Sequence, residues 1–445
     1  MTTVADRDRL SRSAAHDVLL ACLEAGIDAA EPQRVIEERV RVADGRLHVD
    51  GSTYDLYPYR EIIVLGGGNA AAHVARALED VLGDRLDGGL VITDDPVDTE
   101  RVTVLPGDHP VPSQRGVEST RKLLDRAAGA GEETLVLGVI TGGGSALMPA
   151  PAEGISLADL EDTTERLLRS GATIHEINAV RKHLSRLKGG QLAAALADAT
   201  TVGLVLSDVV GNDLDVIASG PMVPDTSTFA DALAVLDRFD LGVSTAVRER
   251  LESGVDGTIP ETPKPGDPAF ERVTTHVIAD GLTALEAASD VAAARGYDPL
   301  ILSSRIEGEA REVGRVHAGI ANEALASGQP VEPPAILLSG GETTVSVQGS
   351  GTGGPNHEFA LAAALGLDGD SVVAGVDSDG IDGASDAAGA ILDREAIDLH
   401  EARRALDEND TGTYLGARDA QVVTGPTGTN VNDLRAVLVA PDETD

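Results

Sequence analysis

The sequence predicts an α/β protein made of two Rossmann-like three-layer domains with mostly parallel sheets and a cleft between them. Three observations lead there. Short β-branched runs alternate with longer helical ones along most of the 445 residues. Several of those runs end in glycine turns that open a helix, as expected for a sheet covered on both faces. A segment rich in Pro, Gly and acid, SGVDGTIPETPKPGDPAF (253–270), interrupts the alternation and reads as a linker. The division expected from it is 1–265 for the N-terminal domain and 266–445 for the C-terminal one.

Taken in order, HDVLLACLEAGI is an amphipathic run in which Cys22, the single cysteine, packs as a small apolar residue. EIIVLGG (61–67) is a strand, followed by a helix from about Ala70 to Val81 and the strand LVITDD (90–95). A helix near 114–128 leads to TLVLGVITGGG (134–144). Helices fill 156–198 before the buried strand TVGLVLSD (201–208). Beyond the linker come HVIAD, a helix from about Leu282 to Arg295, PLILSS, a helix at 308–326 and AILLSGG. The polar TTVSVQGSGTGG, a helix near 356–366, VVAGVDSDGIDG and QVVTGPTGTNVNDLRAVLVA complete the chain.

A formal net charge of −39, spread along the whole chain, suits a surface kept soluble in concentrated salt, where screening shortens repulsion to about 3 Å at 1 M. It excludes nucleic acid and anionic lipid as partners, since phosphate backbones need a basic stripe. The charged N-terminus and the lack of any run of about 18 apolar residues argue for a soluble, cytoplasmic protein. One cysteine and scattered histidines leave no thiolate or histidine metal set, and no G-x-S-x-G elbow is present.

Against that acidity the cations stand out. Only four lysines occur, and Lys182 and Lys188 share VRKHLSRLKGG with Arg181. If the helix is continuous, Arg181 and Lys188 lie on one face, placed to meet an anion. In TGGGSAL, Gly142, Gly143 and Gly144 remove every Cβ where a phosphate or carboxylate could meet backbone N–H groups, and Ser145 adds a hydroxyl. Gly66-x-Gly68-x-x-Ala71 is close to a dinucleotide fingerprint, with Asp94 or Asp95 as the ribose acid; tight strand–helix packing explains the glycines equally well. Asp208 and Asp213 follow one strand end, and Asp377, Asp379 and Asp382 another. Carboxylates in such places hold Mg²⁺ beside substrate phosphates, and some simply serve turns.

The blocks DHPVPSQRG, GGGSALMPAPAEGISL, RSGATIHEINAVRKHLSRLKGG, SDVVGNDLDVIASGPMVPD, IEGEAREVGRVH, LLSGGETTV, GGPNHEFALA, DGIDGASDAAGAI and TGPTGTNVNDL together resemble the glycerate 2-kinases whose C-terminal part is the MOFRL domain. They cover nearly the whole chain, in an acidic member of haloarchaeal type. The resemblance implies ATP and Mg²⁺ as cosubstrates and phosphorylation of D-glycerate, or a related small sugar acid, to 2-phosphoglycerate. It implies catalytic roles for Arg181, Lys182, Lys188, Asp208 and Asp379, with the two aspartates serving Mg²⁺ or the substrate hydroxyl. Gly68, Asn69, Gly142, Gly143, Gly144, Ser145, Glu342, Asn356 and Asn432 would line the substrate and nucleotide site. A homodimer is neither required nor excluded. Asn69 stands where the family usually has lysine, and Thr352 and Pro355 where it has lysine and arginine. Two alternatives follow: a binding protein with weakened or lost catalysis, and an NAD-dependent hydroxypyruvate reductase.

Overall fold

The computed structural model describes residues 2–440 and divides the chain into two compact units. One runs from Val35 to Ile278. The other combines the N-terminal segment through Arg34 with the chain from Ala279 onward. The division therefore differs from 1–265 and 266–445. Helix Ala14–Ala29 packs its Leu19, Leu23 and Ile27 with Leu285 and Ala288 of helix Gly281–Ala294. The segment read as a linker is pinned to the N-terminal unit: Glu261 accepts from the Phe229 amide, and Thr262 donates to Asp225. Its Pro and acid content reflects a strap lying on a surface rather than a free spacer.

Six strands of the 35–278 unit lie in the order 102–106, 88–93, 61–67, 134–140, 200–206, 273–279. The first five pair in parallel, as expected. Ile63, Leu65, Ile92, Val136 and Ile140 bury one face against Leu123 and Ala127 of helix Gln114–Ala128. Helix Ala71–Leu82 takes no part in that cluster, and the right-handed crossover rule for parallel strands assigns it to the other face. The chain builds outward from Glu61–Gly67, then returns to lay Thr134–Ile140 on that strand's free side. Neighbouring strands thus send their loops to opposite faces at this point, the topological switch where α/β sheets bind ligands. The loops that emerge there are Gly68–Ala70 and Thr141–Ser145.

The second six-stranded sheet runs 298–303, 335–341, 433–439, 372–377, 389–393, 421–422. Here the expectation of a mostly parallel sheet fails. Only 298–303 and 335–341 pair in parallel, and the other neighbours are antiparallel. Asp433–Val439 is buried along its whole length, and such a run fixes burial on two faces without fixing direction. Ile336, Leu338, Ala436 and Leu438 face the two helices named above; Leu337, Val373, Val437 and Val439 face Phe359, Ala321 and Leu406. Three layers result. Cys22 sits in the first of these cores, where burial lifts its thiol to about 12. Among the described residues no helix is long and apolar enough to cross a membrane.

Candidate functional site

Two loops meet at the switch point of the first sheet. The Asn69 amide donates to Gly142 O (2.8 Å), the Ala70 amide to Thr141 Oγ1 (3.2 Å) and the Gly68 amide to Ile92 O (3.0 Å). Gly68 has φ of 142°, and a Cβ there would collide with Thr141, so only glycine allows the loops to close on each other. The turn after the first strand has therefore spent its amides inside the protein. Asn69 Nδ2 donates to both Asp94 oxygens (2.8 and 3.1 Å), which occupies the acid expected to hold a ribose. Tight packing, not a dinucleotide cradle, accounts for Gly66-x-Gly68-x-x-Ala71.

The TGGGS loop is the opposite case. Among the described residues, the amides of Gly142, Gly143, Gly144 and Ser145 find no acceptor. Gly143 is left-handed (φ 73°), the conformation that turns successive N–H groups into a nest for an anion. A side chain at Gly142 would strike the Asp208 carboxylate, and one at Gly143 would strike the Asn69 amide group. Burial raises the pKa of Asp208, partly offset by its own backbone and by His109.

The basic segment does not form the continuous helix expected. Helix Ile174–His183 starts at a capping box, with Thr173 accepting from the Glu176 amide and Glu176 reaching back to Thr173. It stops at Leu184, where Ser185 Oγ accepts from the amides of Leu187 and Lys188, and Gly189 and Gly190 both turn left-handed. The chain fold, rather than a shared helix face, brings Lys188 to the glycine loop. Its Nζ donates to Ser145 O (2.8 Å), and burial with the nearby Arg181 charge lowers its pKa to about 7. Arg181 is mostly buried, which lowers its pKa, and it makes no hydrogen bond or ion pair among the described residues. Lys182 has a different fate. It is 1 % exposed and bridges Asp215 and the fully buried Asp225 (3.2 Å to the latter). Burial would raise Asp225, but Lys182 and bonds from Ser227 and Thr262 hold it below the usual carboxylate range. Asp213 serves a turn through the Asp215 amide.

One contributor carried no sequence signal. Ser219 Oγ bonds Ser145 Oγ (2.7 Å) and donates to Asn178 Oδ1 (3.0 Å), while the buried Asn178 Nδ2 has no partner among the described residues. Ala218 and Ser219 are both left-handed (φ 49° and 61°), a strain of about 1–3 kcal/mol each that persists where the surroundings enforce it. Apart from the ASGP run itself, nothing in the residue types marks this corner.

In the other unit the candidates are bound up internally. Asn356 Nδ2 donates to Asp433 (2.6 Å) and Asp382 (3.2 Å). Asp382 also accepts from the amides of Asn356 and His357 and from His357 Nδ1. Asp433 pairs with the buried Arg435. Asp377 lies well above its ordinary pKa through burial and the charge of Asp379, which is itself raised mainly by burial. Asn432 is left-handed (φ 66°), and Glu342 is exposed. Among the described residues no three His, Cys, Asp or Glu side chains converge on one metal position. Mg²⁺ seldom needs such a cage: one or two carboxylates plus substrate phosphates and water suffice. Asp208, half-buried beside a loop of open amides and without a cation partner among the described residues, fits that donor set.

The family model described as a domain of unknown function (DUF4147) matches residues 18–252, and the MOFRL family model matches residues 335–433. A glycerate 2-kinase of Pyrococcus horikoshii is 38% identical, over 93% of this chain and 94% of that one. A protein of Agrobacterium vitis, provisionally assigned as a hydroxypyruvate reductase, is 42% identical over 92% of this chain and 93% of its own. The crystal structure of glycerate kinase from Thermotoga maritima superposes with a TM-score of 0.84 at 36% identity, covering 95% of this chain and 99% of that one.

Proposed function

The chain belongs to the glycerate 2-kinase family, and we propose that it transfers the terminal phosphoryl group of ATP, with Mg²⁺, to the 2-hydroxyl of D-glycerate or a closely related sugar acid. A single observation supports this most strongly. Four amides at Gly142–Ser145, unused among the described residues, lie beside Lys188, which in turn feels the charge of Arg181; neither of these shielded cations has a carboxylate partner among the described residues, in a chain of net charge −39. Shielded cations among so many acids would find carboxylates unless their positions were kept for an incoming anion.

Each residue then has a defined task. The Gly142–Ser145 amides take phosphate oxygens, and Arg181 and Lys188 neutralise charge on the reacting anions, which is most of what phosphoryl transfer asks of a protein. Asp208 is the residue that would hold Mg²⁺, which would supply positive charge to the transferring phosphate. Ser219 and Asn178 fix the Ser145 hydroxyl. Asp379, which burial raises in pKa, belongs to the other unit and is given no role at this loop. Lys182 is reassigned from catalysis to support, because its charge is consumed by Asp215 and Asp225.

The reductase alternative has no comparable support. Its nucleotide would lie on Gly66–Ala71, where the amides of Gly68, Asn69 and Ala70 are already bonded and Asp94 already holds Asn69. The deciding experiment supplies purified protein with ATP, Mg²⁺ and D-glycerate in molar KCl and locates the new phosphate by NMR. Formation of 2-phosphoglycerate is expected. No phosphorylated product from glycerate or a panel of sugar acids, with NADH consumed on adding hydroxypyruvate, would end the kinase reading.

A further inference from the structure

The C-terminal unit holds a second concentration of positive charge that the proposed reaction does not use. A cavity of about 340 Å³ opens between helices Ala310–Ser327, Pro355–Ala364 and Leu399–Asp407, lined by Arg311, Arg315, Arg403, Leu365, Leu406 and Asp407. The volume sits at the lower end of the usual small-molecule range of about 300–1,000 Å³. Its floor is apolar and its rim carries three guanidinium groups from two helices.

The three arginines are satisfied to different degrees. Arg311 is fixed: its Nε and Nη2 donate to the buried Glu358 (2.9 and 3.1 Å), which leaves Nη1 without a partner among the described residues. Arg315 meets only Glu312 one turn away, and both side chains are about 60% exposed, so water and salt weaken that pair. Arg403 makes no hydrogen bond or ion pair among the described residues, and Asp407, one turn further along its helix, does not reach it. Across the rest of the surface arginines mostly stand against carboxylates, as in Arg7–Asp17, Arg166–Asp162 and Arg248–Asp237. Leaving Arg403 free beside Arg315 in so acidic a chain keeps two planar donor groups open for an oxyanion.

We propose that this cavity is a second ligand site, for a small phosphorylated metabolite whose phosphate is taken by Arg315, Arg403 and the free edge of Arg311. The short carbon skeleton lies against Leu365 and Leu406. The site shares no residue with the TGGGS loop, so the two are probed by separate variants.

Inorganic pyrophosphate is the probe, titrated calorimetrically into the full chain and two double variants. Arg315→Gln with Arg403→Gln is expected to weaken one class of pyrophosphate site by about tenfold or more, with the denaturation midpoint and the glycerate KM unchanged. Arg181→Gln with Lys188→Gln is expected to abolish turnover and leave that class intact. Equal binding by wild type and the Arg315/Arg403 variant would overturn the proposal. So would loss of all pyrophosphate binding in the Arg181/Lys188 variant, or no binding by wild type at millimolar concentration.

Discussion

The loop Thr141–Ser145 with Arg181 and Lys188, and the cluster Asn356, Asp382, Asp433 and Arg435, are both rich in glycine and charge, yet they are wired in opposite ways. In the second, the carboxylates are taken up internally: Asn356 Nδ2 bridges two aspartates, Asp382 caps the start of helix Pro355–Ala364, and Arg435 Nη2 lies on Asp433, although its buried Nε and Nη1 have no partner among the described residues. In the first, four amides and a guanidinium have no partner among the described residues. Spent hydrogen-bonding capacity builds scaffold; unspent capacity at a switch point is left for a ligand. Lys182 and Lys188 repeat this contrast six residues apart, one locked between carboxylates and the other held only by carbonyls.

The comparison breaks most visibly at Lys182. Lys182→Met would leave the fully buried Asp225 charge uncompensated, and breaking such a pair costs about 3–5 kcal/mol. The denaturation midpoint should fall sharply, while protein still folded keeps its KM for glycerate. An unchanged midpoint would mean that Lys182 is no scaffold residue. Lys188→Met should behave the other way round. Removing a cation from the developing negative charge is expected to lower kcat/KM by about 10²–10³-fold, or about 2.7–4 kcal/mol. The midpoint should hold or rise, because a desolvated ammonium is replaced by an apolar side chain of similar length. Full activity in this variant would remove the strongest support for the anion site.

Much of this was legible in the residues. The alternation of strands and helices, the parallel first sheet and the glycine loops followed from hydrophobic period and turn chemistry, and the scarcity of lysine pointed to the segment whose Lys188 the fold brings to the glycine loop. What failed was long-range pairing. The sequence could not separate Lys182 from Lys188, because Asp215 and Asp225 lie 33 and 43 residues beyond Lys182 and look like other surface acids until the chain folds. It could not reveal that Leu19, Leu23 and Ile27 dock with Leu285, since an apolar stripe does not name the sheet it will cover. Nor could it give the direction of Asp433–Val439, buried on both faces. The left-handed Ala218 and Ser219 are imposed by tertiary contacts.

A smaller effect would sharpen the comparison through the start of the helix that carries Arg181 and Lys182. Thr173→Ala removes one half of its capping box and should cost about 1 kcal/mol, read as a modest drop in denaturation midpoint. The kcat should stay within about twofold if the tertiary bonds of Asn178 and Lys182 hold the helix in place, a margin below the cap's own 1 kcal/mol. A large loss of activity would show instead that Arg181 depends on the cap for its position.

The pH profile tests Lys188 directly. Lys188 has a folded-state pKa near 7, below its value in the unfolded chain, so between those two values the unfolded state binds more protons than the folded one. Stability of the ligand-free protein should therefore rise with pH from about 7 towards 10, and this rise should vanish in Lys188→Met. Anion binding has the opposite sign. An anionic substrate needs the ammonium form, so log kcat/KM should fall by about one unit per pH unit above 7, about 1.4 kcal/mol for each. If stability and kcat/KM instead moved in the same direction above pH 7, Lys188 would not be the group that meets the substrate's charge.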